Sequence, residues 1–137
     1  KFAGDAARTR GSSPKLQVLN TALMTVTTGV SLEEARSDRE FHGRLVESAV
    51  GAHLANAAAA NECELFYWRD RGQEVDFIVR CRNRLVAIEV KSGRAPQAHS
   101  GIAAFAAAFK VRRTLLVGGD GVPVEDFLGR SVSEWID

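Results

Sequence analysis

The feature that most constrains this chain is a change of hydrophobic period at Cys63. Upstream of it, residues 38–60 carry apolar side chains at helical spacing, with alanine abundant in the second half, so one long helix is predicted there. Downstream, runs at 64–68, 74–80 and 85–91 are rich in alternating, β-branched and aromatic residues, and the turn formers Asp70-Arg71-Gly72 and Arg82-Asn83-Arg84 divide them. Connections that short join antiparallel neighbours, which predicts a three-stranded meander. Ser92-Gly93-Arg94-Ala95-Pro96 breaks the pattern. An alanine-rich helix at 102–109, with Phe105 and Phe109 on one face, and a nearly all-apolar strand at 113–117 come next. Gly118-Gly119-Asp120-Gly121 reads as a turn and 124–128 as a last turn of helix. The order helix, three strands, helix, strand belongs to an α/β sandwich with a mixed sheet flanked by helices.

Ahead of the long helix the signals are shorter. Residues 15–19 alternate as an accessory strand, and Asn20 or Thr21 caps a brief accessory helix that stops at Gly29. Residues 1–14 are polar and end in Arg10-Gly11-Ser12-Ser13-Pro14, which reads as a linker or frayed end, leaving 15–137 as one domain. A length of 137 residues with 45% hydrophobic content suits one core and not two. The chain opens on Lys1 rather than Met, and its first segment reads as the end of something longer.

Charge and cysteine content remove several function classes. Lys and Arg number 18 against 17 acids, so no global field draws the chain to nucleic acid, and any such binding must come from a local patch. Arg69, Arg71, Arg80, Arg82 and Arg84, with Lys110, Arg112 and Arg113 beyond them, are the candidates for phosphate contact, against a solvated turn surface as the plainer reading. Cys63 and Cys81 have no second Cys or His at zinc-ligand spacing and read as packed thiols of a reducing compartment. His42, His53 and His99 share no ligand spacing. No apolar run approaches the roughly 20 residues that span a bilayer, so the expectation is a cytoplasmic protein without membrane contact. No phosphate-binding Gly-x-x-x-x-Gly-Lys-[Ser/Thr] occurs, so the chain has no ATP site of its own.

The residues that promise chemistry are acids and a lysine. Alternation sets Glu89 and Lys91 on one face of their strand, with Val86, Ile88 and Val90 on the core face, and lets Asp76 of the preceding strand share the side of Glu89 and Lys91. At about 100° per residue, Gly43, Glu47, Val50, Gly51, Leu54 and Ala58 form one helix stripe, which puts Glu47 on the face that packs against the sheet. A carboxylate there needs a partner, and the two glycines permit another element to come close. Each residue taken alone is read most simply as an ordinary surface ion pair. Together they are the set a hydrolase needs to hold a divalent metal beside a phosphodiester.

Several stretches also resemble a known family. Arg10-Gly11-Ser12-Ser13-Pro14-Lys15-Leu16, Gly43-Arg44-Leu45-Val46-Glu47, Tyr67-Trp68-Arg69, Glu74-Val75-Asp76-Phe77 and Ala87-Ile88-Glu89-Val90-Lys91-Ser92-Gly93 resemble the C-terminal domain of unknown function that follows the AAA-type ATPase module in many prokaryotic ATP-binding proteins. That domain is similar to the restriction-endonuclease-like PD-(D/E)XK superfamily, whose α-β-β-β-α-β core has the order reached above from periodicity. The resemblance implies a nuclease-like domain in which Asp76, Glu89, the Val90 carbonyl and Glu47 hold Mg²⁺ or Mn²⁺ and Lys91 orients or deprotonates the attacking water. It implies nucleic acid as substrate and an upstream ATPase module of the same polypeptide as partner. Val75 stands where the superfamily's name puts Pro, and Asn20 where relatives often carry Asp. Two rival readings remain open at this point. One is a catalytically silent partner-binding or regulatory module; the other is a structural ion-pair network in which Lys91 bridges Glu47 and Glu89.

Overall fold

The computed structural model describes residues 1–2, 15–93 and 100–137. Capping residues set the helices between residues 21 and 59. The Asn20 side chain accepts from the Leu23 N–H to start helix α1 (Thr21–Thr28), and Gly29, at φ 65°, ends it. Ser31 and Glu34 form a capping box on helix α2 (Leu32–Ser37). Asp38 ends α2 and caps the 21-residue helix α3 (Arg39–Ala59) by accepting from the Glu40 and Phe41 N–H groups.

The period change at Cys63 is the helix-to-sheet boundary. Strands β1 (Glu64–Asp70), β2 (Gln73–Cys81) and β3 (Arg84–Lys91) form the expected antiparallel meander. Helix α4 (Ser100–Ala108) follows, and strand β4 (Arg113–Gly118) lies parallel to β3, so the sheet is mixed and ordered β1-β2-β3-β4. Two short helices, α5 (Val124–Leu128) and α6 (Val132–Ile136), close the chain.

Both faces of the sheet are covered. On one, Phe77, Val79, Val86, Ile88, Leu115 and Val117 meet Val50 and Leu54 of α3, Phe127 of α5 and Trp135 of α6. On the other, Trp68, Val75, Ile78, Leu85 and Ala87 meet Ile102 and Phe105 of α4. Burial on both faces explains why Leu85 to Ile88 are all apolar and all buried.

Four expectations change. Residues 15–19 run extended but join no strand of the sheet. Lys15 and Gln17 turn inward, while Leu16 and Val18 are 90% and 47% exposed, so the pattern read as a strand has its polarity reversed. Helix α6 was not foreseen: Ser131 and Glu134 form a capping box whose five-residue helix is too short for a period to register. Phe2 is docked and not frayed. Its N–H donates to the Tyr67 carbonyl at 2.6 Å, and its ring lies 5.1–5.6 Å from Phe66, Phe105 and Phe109. The fourth change is in β2, where simple alternation sets Val75, Phe77 and Val79 on one face against Asp76, Ile78 and Arg80. Between the pairs Phe66↔Ile78 and Trp68↔Val75, β1 spends one residue and β2 spends two, Asp76 and Phe77. This bulge puts Val75 and Phe77 on opposite faces of the sheet although they are two residues apart. The linker residues 3–14, the break at 94–96 and His99 lie outside the described residues.

Candidate functional site

The site forms where the β2 bulge, the end of β3, the middle of α3 and the extended segment 15–17 meet. An Asp76 oxygen accepts from the Val90 N–H at 3.0 Å, which ties the bulge to β3. Lys15 Nζ lies 2.6 Å from Glu47 Oε1 and 3.5 Å from Asp76 Oδ1, and 5.0 Å from the centre of the Phe77 ring. Lys91 Nζ lies 2.9 Å from Glu89 Oε1. The side chains of Asp76 and Glu89 are only 15% and 14% exposed, whereas Glu47 and Lys91 are about one-third exposed.

Glycines admit the neighbouring segments. Gly51 on α3 faces the Gln17 side chain, whose amide donates to the Glu47 carbonyl at 2.9 Å; a Cβ at Gly51 would lie 2.2 Å from that amide nitrogen. At the end of β4, Gly118 adopts φ 78°, and a Cβ there would sit 2.0 Å from the Lys91 carbonyl oxygen. The turn after β4 therefore packs directly under the Lys91 backbone. A groove of ≈ 310 Å³ opens beside Asp76, lined by Lys15, Gln17, Gly51, Tyr67 and Phe77 among others.

The charges act on one another. Burial pushes the Asp76 carboxyl above its ordinary value; Glu89 and Glu47 push the same way, and the Val90 N–H and the Lys15 ammonium oppose them. The hydrogen bond to Glu89 raises the Lys91 ammonium, and Asp76 and Glu47 add to the effect. Three carboxylates and two ammoniums thus share one electrostatic neighbourhood, although Glu47 and Glu89 are 42 positions apart in sequence.

Sequence reasoning missed Lys15 as a site residue. Its only signal was its place after Pro14 in a segment read as an accessory strand, where an inward-facing lysine has no periodic signature. The ion-pair reading assigned Lys91 to bridge Glu47 and Glu89; the structure gives Lys91 to Glu89 and Lys15 to Glu47 and Asp76.

The arginines divide between the two ends of the sheet. Arg69 and Arg71 flank the β1–β2 turn, at the Asp76 end, where Arg69 makes a two-pronged pair with Glu74 at 2.7–2.9 Å. Arg80 and Arg82 lie at the other end, and Arg82, in the turn six positions beyond Asp76, is about 20 Å of chain from it. Arg80 is held by Glu64 at 2.6–2.7 Å and Arg84 by Asp137. Lys110, Arg112 and Arg113 enter β4 at that same distant end. His53 lies against the Arg130 carbonyl at 3.1 Å and the Phe127 ring, part of the packing under α5. Trp68 is the buried member of the Tyr67-Trp68 pair, 5.5 Å from the Phe105 ring. Cys63 and Cys81 are free thiols.

Among the described residues, no group of three His, Cys, Asp or Glu side chains is drawn together as a metal-binding set. The donor chemistry nonetheless suits a hard divalent cation: the acids offer only carboxylate oxygens, and a cationic nitrogen already sits between two of them. Among the described residues, no helix is long and apolar enough to cross a membrane.

A search of curated proteins and a search of solved structures return no match. One family does match, over residues 42–126, a span from the start of α3 to α5 that holds Glu47, Asp76, Glu89 and Lys91. That span is more than half of the chain, and on it the chain belongs to the family described as Domain of unknown function (DUF4143).

Proposed function

We propose that this chain is a metal-dependent phosphodiester hydrolase domain of the PD-(D/E)XK kind, acting on nucleic acid with Mg²⁺ or Mn²⁺. What supports the reading is that Lys15 joins Glu47 of α3 to Asp76, that the Val90 N–H ties Asp76 to β3, and that Lys91 pairs with Glu89 on that same strand. The element order, with a long helix before a meander and a parallel fourth strand after a crossover helix, supports a restriction-endonuclease-like core. By resemblance, the domain serves as the C-terminal part of a cytoplasmic AAA-type ATPase.

Asp76 and Glu89 would hold the ion, with the Val90 carbonyl beside them and Glu47 completing the set through a water. When bound, a hard divalent ion polarises the phosphate and supplies a nucleophilic water at neutral pH. The Val90 N–H fixes the Asp76 carboxylate, so the acid needs little reorganisation to bind. Lys91, held as an ammonium by Glu89, orients the attacking water or balances charge on the phosphoryl oxygens; as a charged donor it is poorly suited to deprotonate water. The groove beside Tyr67 and Phe77 gives an extended strand an approach to Asp76, and Arg69 and Arg71 lie at the same end of the sheet for phosphate contact.

The test is cleavage of plasmid DNA and of single-stranded DNA and RNA oligonucleotides in Mg²⁺ or Mn²⁺. Asp76→Ala, Glu89→Ala and Lys91→Ala are each expected to abolish cleavage while the fold survives, as judged by circular dichroism. Cleavage retained by all three variants would sink the proposal. The pairing of both lysines with acids favours a second reading, a catalytically silent module held together by ion pairs. That reading expects no divalent-ion binding by calorimetry and a large loss of stability on removing Lys15 or Lys91.

A further inference from the structure

We infer that Lys15 is the resident counter-ion of the proposed metal site and is exchanged for the divalent ion when the site loads. The inference rests on the metal-dependent reading above and concerns a residue that lies outside the span matched to the family.

Three observations converge on it. The first is placement: the Lys15 ammonium bridges Glu47 and Asp76 at 2.6 and 3.5 Å, so a single positive charge occupies the gap between the helix acid and the bulge acid. A divalent ion that used both acids would meet that ammonium, and like charges cannot share the gap. The second is the reversed polarity of the segment that carries Lys15. An extended stretch packed on a protein normally buries its apolar side chains, yet here Lys15 and Gln17 face inward while Leu16 stands 90% exposed. Polar contacts therefore hold the segment, through Lys15 on the two acids and through Gln17 on the Glu47 carbonyl. The third is access: the groove that reaches Asp76 is lined by Lys15 and Gln17, so the ammonium leaves into open space and not through the core.

Exchange also confers selectivity. A monovalent cation gains nothing over an ammonium already in place, whereas a divalent ion held by Asp76, with Glu47 reached through a water, meets the same two carboxylates with twice the charge. Lys15 thus sets a threshold that Na⁺ and K⁺ fail and Mg²⁺ passes. If the ammonium is in place nine-tenths of the time, the apparent affinity for Mg²⁺ is lowered about tenfold.

The experiment follows Mg²⁺ in two ways on the 137-residue chain, at constant ionic strength. Calorimetry measures binding by the wild type and by Lys15→Met, which keeps the aliphatic stem over Phe77 and removes the charge. Carbon-13 labelling at lysine Cε reports where Lys15 lies, since an ammonium seated over the Phe77 ring places its ε-methylene protons in the shielding region of that ring. The expected result is a Lys15 signal that moves to the free-lysine position with the calorimetric midpoint, and about tenfold tighter binding by Lys15→Met. Mg²⁺ binding with an unmoved Lys15 signal and an unchanged affinity in Lys15→Met would overturn the inference and leave the metal reading standing. No binding by either protein would remove the metal reading, and the inference with it. Should Lys15→Met fail to fold, the wild-type shift decides alone.

Discussion

Asp76 shows how closely stability and chemistry are opposed at a single residue. Its carboxylate is 15% exposed and satisfied by the Val90 N–H and the Lys15 ammonium, while burial, Glu89 and Glu47 all disfavour its charge. Asp76→Asn keeps an acceptor for Val90 and removes the charge, so its Tm is expected to hold or rise, whereas Asp76→Ala leaves a buried N–H without an acceptor and should cost about 1–3 kcal/mol. Thermal unfolding of the two variants checks the ordering. The cysteines offer a second residue-scale test. Burial pushes the Cys63 thiol up, and Cys81, Glu62 and Glu64 add to it. The folded state therefore holds that proton more tightly than the unfolded chain does; the stability this supplies is complete below the ordinary thiol value and is lost as pH rises through the folded one. With a thiol reagent near pH 8, Cys81 is expected to react first and Cys63 only with unfolding. Equal rates would contradict the burial of Cys63. Of the residues at the candidate site, Glu47, Asp76, Glu89 and Lys91 drew notice in the sequence because acids and a lysine in predicted helices and strands stand out. Lys15 was not, because a lysine in an extended segment resembles any surface lysine until the acids it meets are in place.

Among the elements, the long helix α3 announces itself through its period and the meander through its turns. The bulge in β2 does neither. Simple alternation sets Val75 and Phe77 on one face, and only pairing with β1 reveals that two residues of β2 stand against one of β1. Two glycines test how elements support the site. Gly118→Ala meets both a left-handed φ and the Lys91 carbonyl, so it should destabilise by about 2 kcal/mol or more, as measured by denaturant unfolding. Gly51→Ala is the opposite case. Helix α3 gains about 1 kcal/mol of intrinsic preference, and the obstructing atom is the end of the flexible Gln17 side chain. Global stability is expected to hold or rise while amide exchange quickens across residues 15–20; unchanged exchange there would show that Gln17 does not anchor the segment.

For the whole molecule, two apolar clusters on opposite faces of one sheet make the fold, and the outlying surface is apolar where no core explains it. Phe105 is fully buried between α4 and the sheet, so Phe105→Ala should cost about 3–5 kcal/mol. Leu23 and Val26 on α1 are 56% and 76% exposed, and Leu23→Ser with Val26→Ser should change stability by no more than about 0.5 kcal/mol each in the same unfolding assay. The sequence by itself determined the order of elements from the long helix α3 to α5, the short antiparallel connections and the apolar face of β3, because these follow from local period and turn chemistry. It also marked the acids and Lys91 as unusual. Only the tertiary structure decided the reversed polarity at residues 15–18, the docking of Phe2, the turning of Asp76 by the bulge and the seat of Lys15 between two acids. Each depends on contacts between residues distant in the chain, and no local pattern records what a side chain will face once the layers have closed on it.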